Sequence, residues 1–145
     1  MYIVKKEDVL KEINKINNYL SKCMWMDFTY AQSHCGKIEL FGAIDQTYNN
    51  YIDNYEIKVV FEHPHFVSSL FSWSLDTSKP FIQLCIDEEE KEMTDKYQVE
   101  LGNYIFKINA ENFDNPPIYI AAKKINGFNT KMHKVCPCDK CRNTS

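Results

Sequence analysis

The residues with the clearest capacity for chemistry form a His/Cys cluster close to the end of the sequence. The cluster comprises His133, Cys136, Cys138 and Cys141. Imidazole and thiolate are ligands that tetrahedral zinc prefers, and the C-x-x-C spacing is that of a zinc knuckle. Structural zinc sites usually join ligand pairs from two separate segments, and His34-Cys35 offers a second pair. The cluster therefore indicates either a zinc site or a tail without a resident metal.

A second group is His63-Pro64-His65, which follows an apolar stretch. Residues i and i+2 of a strand share a face, so the two imidazoles could bind a metal or, with Glu62, transfer a proton. The alternative is that both histidines are turn residues beside a proline. The sequence has no Gly-x-Ser-x-Gly and no phosphate-binding glycine loop, and it contains four glycines in all. We therefore expect a protein without catalytic activity.

Two further segments have the composition of recognition surfaces. The first, within residues 45–54, contributes Asp45, Tyr48, Asn49, Asn50, Tyr51 and Asp53. Tyrosine provides large, rigid contact area and asparagine provides adaptable hydrogen bonds. The second is the acidic run at residues 87–92, which includes Asp87, Glu88, Glu89 and Glu90. Either segment could instead be a solvated loop or turn, but together they predict a surface that attracts a basic protein.

The charge distribution supports a basic partner. Residues 123–145 carry five Lys, one Arg and one Asp, a net charge of +5, so the overall −3 leaves −8 on the first 122 residues. Arg142 is the only arginine, which argues against phosphate and guanine recognition. We therefore expect no nucleic-acid partner for the body of the protein.

Length and hydropathy favour one soluble domain. A chain of 145 residues buries enough surface to fold without disulfides or metal. No apolar run approaches the roughly 20 residues of a membrane span, and the N-terminal residues lack the apolar region of a signal peptide. We therefore expect a cytoplasmic protein without membrane contact, in which the six cysteines are reduced thiols or metal ligands.

The elements that must position these residues are mainly strands. Apolar residues occupy the odd positions Tyr55, Ile57, Val59 and Phe61, and three of the four even positions from 56 to 62 are charged. This period of two is typical of a strand with one buried face. Before it, Val9, Ile13, Ile16 and Leu20 recur at helical spacing within residues 6–22. Further strands are predicted at residues 25–30, 37–44, 67–75, 81–86, 97–101, 104–108 and 118–122. Gly102-Asn103 is interpreted as a hairpin turn between two of them, and Cys85 as a core residue.

These elements predict an α+β protein with a mainly antiparallel sheet of seven or eight strands and one N-terminal helix packed on it. The connections are too short for parallel crossovers. The hydrophobic pattern stops after Gly127. We therefore expect a single domain at residues 1–127 and a Cys/Lys-rich tail at residues 128–145.

The order and phrasing of these segments resemble those of the small cytosolic immunity proteins of bacterial polymorphic and contact-dependent toxin systems. The resemblance covers roughly residues 6–125 and is carried by the leading helix, residues 37–45 and 55–61, Trp73, and residues 102–106 and 118–122. Proteins of this type are binders that occlude a toxin, so the resemblance implies a non-enzymatic inhibitor. The leading hypothesis is thus neutralisation of a basic toxin domain, such as a nuclease. The alternatives are a zinc-binding interaction module that uses the His/Cys cluster, and an accessory protein of a mobile element.

Overall fold

The structure is a computed structural model and describes residues 3–33, 35–44 and 55–129. Its elements, in chain order, are α1 (Lys6–Leu20), β1 (Asp27–Gln32), β2 (Ile38–Ala43), β3 (Ile57–Glu62), β4 (Phe66–Ser68), β5 (Ser72–Ser74), β6 (Ile82–Leu84), α2 (Asp87–Tyr97), β7 (Tyr104–Ile108), β8 (Ile118–Ala122) and β9 (Lys124–Asn129). The predicted α+β class with antiparallel strands is confirmed. The described residues contain nine strands and a second helix, and the strands form two sheets.

The strands pair in the orders β5-β1-β2-β3-β9 and β4-β8-β7-β6, here called the first and second sheet. Within each sheet, the neighbouring strands that the structure describes are all antiparallel. Alternating apolar residues from both sheets fill one core, and the rings of Phe61 in β3 and Phe106 in β7 meet edge to face with their centroids 5.1 Å apart. The period of two around Val59 therefore marks the buried face that the sequence predicted.

Helix α1 lies beside both sheets, against β9 at the edge of the first and β6 at the edge of the second. Its four predicted apolar positions are buried. Its polar side chains also bond to the edge strands. The Asn17 amide exchanges two hydrogen bonds with the backbone of Ile82, and Glu12 accepts from the Gly127 N–H. These contacts satisfy strand-edge groups that would otherwise be open to pairing with another chain.

Three strand predictions were wrong in detail. Residues 67–75 form two short strands, β4 and β5, in different sheets rather than one continuous strand. Residues 97–101 are not a strand, because α2 continues to Tyr97 and Gln98 then adopts a left-handed conformation with φ of 52°. The segment 118–122 is not the last strand, since β9 follows it and runs to Asn129. The predicted tail at 128–145 therefore begins inside a strand.

None of the helices within the described ranges has the length and apolar character that crossing a membrane requires.

Candidate partner-binding surface

The predicted acidic run forms a helix rather than a turn. Glu, Lys and Met are good helix formers, and the four acidic residues at 87–90 occupy the first turn, where negative charge is favoured by the helix dipole. Glu89, Met93 and Tyr97 recur every four residues and are partly buried. This spacing places them on one helix face, and that face packs on the outer side of the second sheet.

Glu89 is the polar contact that fixes α2 to the sheet. Lys107 of β7 and Tyr119 of β8 are opposite each other across the ladder. The Lys107 Nζ lies 2.7 Å from Glu89 Oε1, and the Tyr119 hydroxyl donates to Glu89 Oε2 at 2.8 Å. Only 31% of the Glu89 side chain and 20% of the Lys107 side chain are exposed. Glu89 was predicted to bind a partner; within the fold both of its carboxylate oxygens already have a partner, and the role of Glu89 in binding stays a prediction.

Beneath α2 lies a small apolar cluster that is separate from the main core. Its buried members are Cys85, Ile105 and Ala121, which we call the docking strip. Met93 of α2 packs on this strip together with Phe66 and Tyr119 of the sheet. The prediction that Cys85 is a core residue is therefore confirmed, since only 3% of it is exposed.

The C-terminal end of α2 is held by a second set of contacts. The Tyr97 ring stacks on Phe66 with centroids 4.1 Å apart, and His65 Nε2 lies 3.2 Å from the Tyr97 carbonyl oxygen. His63 has a φ of 53° and lies just beyond the end of β3. The His63-Pro64-His65 segment thus separates β3 from β4, as its composition predicted, and His65 contacts the end of the helix.

The remaining surface of α2 faces solvent and is mainly acidic. It presents the exposed residues Asp87, Glu88, Glu90, Glu92 and Asp95, here called the acidic face. Lys91 and Lys96 are the two basic residues of the helix. Exposed aliphatic side chains flank the helix, with Ile86 at 60% exposure before it and Leu101 fully exposed after it. Carboxylates beside accessible apolar side chains are suited to contact with a basic protein surface.

No protein-family model, curated protein or solved structure matches this chain.

The ionisation of the groups under α2 argues against nucleophilic chemistry. Burial, together with the negative Glu89, raises the pKa of Cys85 to about 12, so the thiol is protonated at neutral pH and is a poor nucleophile. Burial and the hydrogen bond to Glu89 also raise the pKa of Tyr119. Burial acts to raise the pKa of Glu89, but the hydrogen bonds from Lys107 and Tyr119 outweigh it and lower that pKa. The arrangement stabilises an ionised carboxylate between neutral and positive donors.

This ionisation predicts how stability depends on pH. Because folding depresses the pKa of Glu89 below its ordinary value of 4.5, its stabilising contribution is complete above that value and is lost as the pH falls through the folded pKa. We expect Glu89→Gln to lower the free energy of unfolding by about 1 kcal/mol at pH 7. The difference from wild type should shrink as the pH falls below 4.5, as measured by urea unfolding. Glu88→Gln is the matched control and should show no such convergence; a Glu89→Gln deficit that is constant with pH would contradict the assignment.

Several predicted site residues lie outside the described residues. They are Asp45, Tyr48, Asn49, Asn50, Tyr51 and Asp53 of the first recognition segment, and His133, Cys136, Cys138 and Cys141 of the His/Cys cluster, together with His34. Within the described ranges, no three His, Cys, Asp or Glu side chains are grouped so that they could hold a metal ion. His63 and His65 therefore have no third ligand among these residues.

A small cleft of about 250 Å³ lies between the β1–β2 connection and the start of β4, lined in part by Ser33, Lys37 and His65. Its polar groups are engaged within the protein. The Ser33 hydroxyl accepts from the backbone N–H groups of Cys35 and Lys37, and the Lys37 ammonium lies 3.5 Å from a Glu62 carboxylate oxygen. The cleft is therefore a weaker candidate than α2 for a binding site.

Sequence reasoning missed the partners that position the acidic face. No sequence motif marks the residues that hold or flank α2, which are Lys107, Tyr119, Ile86 and Leu101. A signal for the helix itself was present, since Glu89, Met93 and Tyr97 follow the i, i+4, i+8 spacing of a helix face. The contacts with β7 and β8 had no local signal, because they join residues 18 and 30 positions apart in sequence.

Proposed function

We propose that this protein is a non-enzymatic, immunity-type inhibitor that occludes a cognate basic toxin domain, such as a nuclease, in the bacterial cytoplasm. The observation that carries the proposal is the acidic face of α2, which is held outward because Glu89 is tied to Lys107 and Tyr119 beneath it. A helix fixed in this way presents carboxylates in a constant arrangement. Pre-organisation of this kind reduces the entropy lost on binding.

The charge of the protein adds to this support. The net charge of −8 on residues 1–122 would accelerate association with a positively charged domain through long-range attraction. The protonated Cys85 thiol supports a binding role over a catalytic one, because this group near α2 lacks the reactive form that a nucleophile requires. Ile86 and Leu101 add exposed apolar contact area at the two ends of the helix.

The proposal predicts that a toxin-like protein is encoded next to this gene, and it is tested with the C-terminal domain of that protein; a neighbourhood without such a gene would count against it. We expect Glu88→Lys combined with Glu90→Lys to slow association by about tenfold and to flatten its dependence on salt, because exposed charges control the encounter rate. Association and dissociation rates are measured by surface plasmon resonance between low and high salt. Glu89 is left unchanged, since a lysine there would oppose Lys107 and disturb the fold.

The matched control is Glu7→Lys combined with Glu111→Lys. Both residues are exposed and outside α2, and the double change alters the net charge by the same amount. If the control slows association as much as the α2 variant does, the acidic face is not the contact surface. If the wild-type protein does not bind or inhibit the domain at all, the proposed function itself is wrong.

A further inference from the structure

Helix α2 is attached to the fold in a different way from α1. Whereas α1 buries four side chains in the main core, none of the eleven residues of α2 is buried. Burial of apolar surface provides most of the stability of a helix in a protein, and an isolated helix of this length is marginal in water. The position of α2 therefore depends on a few partly buried side-chain contacts, chiefly those of Glu89, Met93 and Tyr97.

Both junctions of α2 have unusual backbone conformations. Asp87 at its start and Gln98 just after its end have φ angles of 53° and 52°. Side chains other than glycine rarely adopt this left-handed region because the Cβ atom crowds the backbone. At Gln98 this conformation ends the helix, and the backbone N–H of Gln98 is bonded to the Thr94 carbonyl oxygen. The chain therefore changes direction at both ends of α2, and these are the two points about which the helix would turn.

The surface beneath α2 does not need the helix in order to keep its own structure. Ile105 and Ala121 belong to β7 and β8, which pair with each other along their whole length. The cluster that includes Cys85 is separate from the main core between the sheets. Displacement of α2 would therefore uncover the docking strip while the two sheets and α1 remain packed.

We infer that α2 is a hinged cover that opens at Asp87 and Gln98, and that the Glu89–Lys107 ion pair is its latch. Opening exposes the docking strip, including the Cys85 thiol, and moves the acidic face away from its fixed position. The consequence for a partner rests on the proposed function: a toxin domain bound to the acidic face would select the closed position. The opening itself is a property of the chain alone and is tested without a partner.

The Cys85 thiol reports on opening because it is 3% exposed when α2 is docked. Wild-type protein is treated with N-ethylmaleimide at several urea concentrations, and the labelling of each cysteine is followed by peptide mass spectrometry. We expect Cys85 to be labelled at low urea with a rate that rises only weakly with denaturant, because local opening exposes little surface. If Cys85 is labelled only with the full urea dependence of global unfolding, α2 does not open separately and the inference is overturned.

A pair of variants tests the latch. Glu89→Gln should increase the Cys85 labelling rate about fivefold, since a charge-assisted contact is lost. The matched control Glu88→Gln, which changes an exposed carboxylate one residue away, should leave the rate unchanged. Equal rates for both variants and wild type would remove Glu89 from the latch. Global stability is measured in parallel, and the urea dependence of wild-type labelling decides the inference even if Glu89→Gln unfolds. If the wild-type protein does not bind the toxin domain but Cys85 is labelled as expected, the proposed function alone is wrong.

Discussion

Gly42→Ala is expected to lower the free energy of unfolding by about 2–3 kcal/mol, as measured by urea unfolding, because the sheet has no room for a methyl group at this position. Gly42 lies in β2 on the face that points into the core. A Cβ atom there would be 2.6 Å from Met26 Sδ, 2.7 Å from Phe28 Cε1 and 2.9 Å from Ile57 Cγ2. All three neighbours are buried, so they have little space into which they could move.

The control for this effect is Gly102→Ala. A Cβ atom at Gly102 would meet no other atom within 4 Å, but the φ angle there is 93°, so alanine would cause backbone strain of about 1–2 kcal/mol without a steric clash. We expect Gly42→Ala to be the more destabilising of the two, and to disturb the near-ultraviolet signal of the surrounding aromatic rings. A Gly42→Ala variant as stable as wild type would show that β1, β2 and β3 do not pack as the structure has them.

Asn17→Ala is the second large effect, with an expected loss of about 2 kcal/mol in the free energy of unfolding. The Asn17 Nδ2 donates to the Ile82 carbonyl oxygen at 2.9 Å, and the Ile82 N–H donates to Asn17 Oδ1 at 3.1 Å. Alanine would leave both backbone groups of the edge strand β6 without these partners. Because an open edge can pair with another chain, we also expect the variant to aggregate more readily, as measured by light scattering.

Asn18→Ala provides a close control, since Asn18 is the next residue of α1 and its side chain is exposed. Both substitutions change the helix propensity by the same amount, so the difference between them isolates the contact with Ile82. The control should be as stable as wild type or slightly more stable. Equal stability of the two variants would exclude a contribution of Asn17 to the edge of the second sheet.

The local pattern of the sequence determined the elements that have one buried and one exposed face. The period of two identified β2, β3, β7 and β8, and the helical period identified α1 with its buried residues. In each case the pattern exists because one side of the element must face the core. The α+β class followed from the number of such strands and their short connections, without knowledge of which strands pair.

The two sheets could not be predicted, because alternation does not indicate the sheet to which a strand belongs. Residues 67–75 alternate except at Ser69 and Leu70, which predicts one strand, but β4 pairs with β8 and β5 pairs with β1. The chain passes from one sheet to the other at residues 69–71 without a glycine or proline. Only the register with strands distant in sequence determines where the strand divides.

The candidate surface shows the same division between local and long-range information. The sequence alone determined that residues 87–92 are strongly acidic and that Cys85 lies within a mainly apolar stretch of the chain. Tertiary structure decided which carboxylates are exposed, since Lys107 and Tyr119 contact Glu89, whereas Asp87, Glu88 and Glu90 remain exposed. The reason is physical: charge is a property of each residue, but its availability depends on donors that folding brings from other strands.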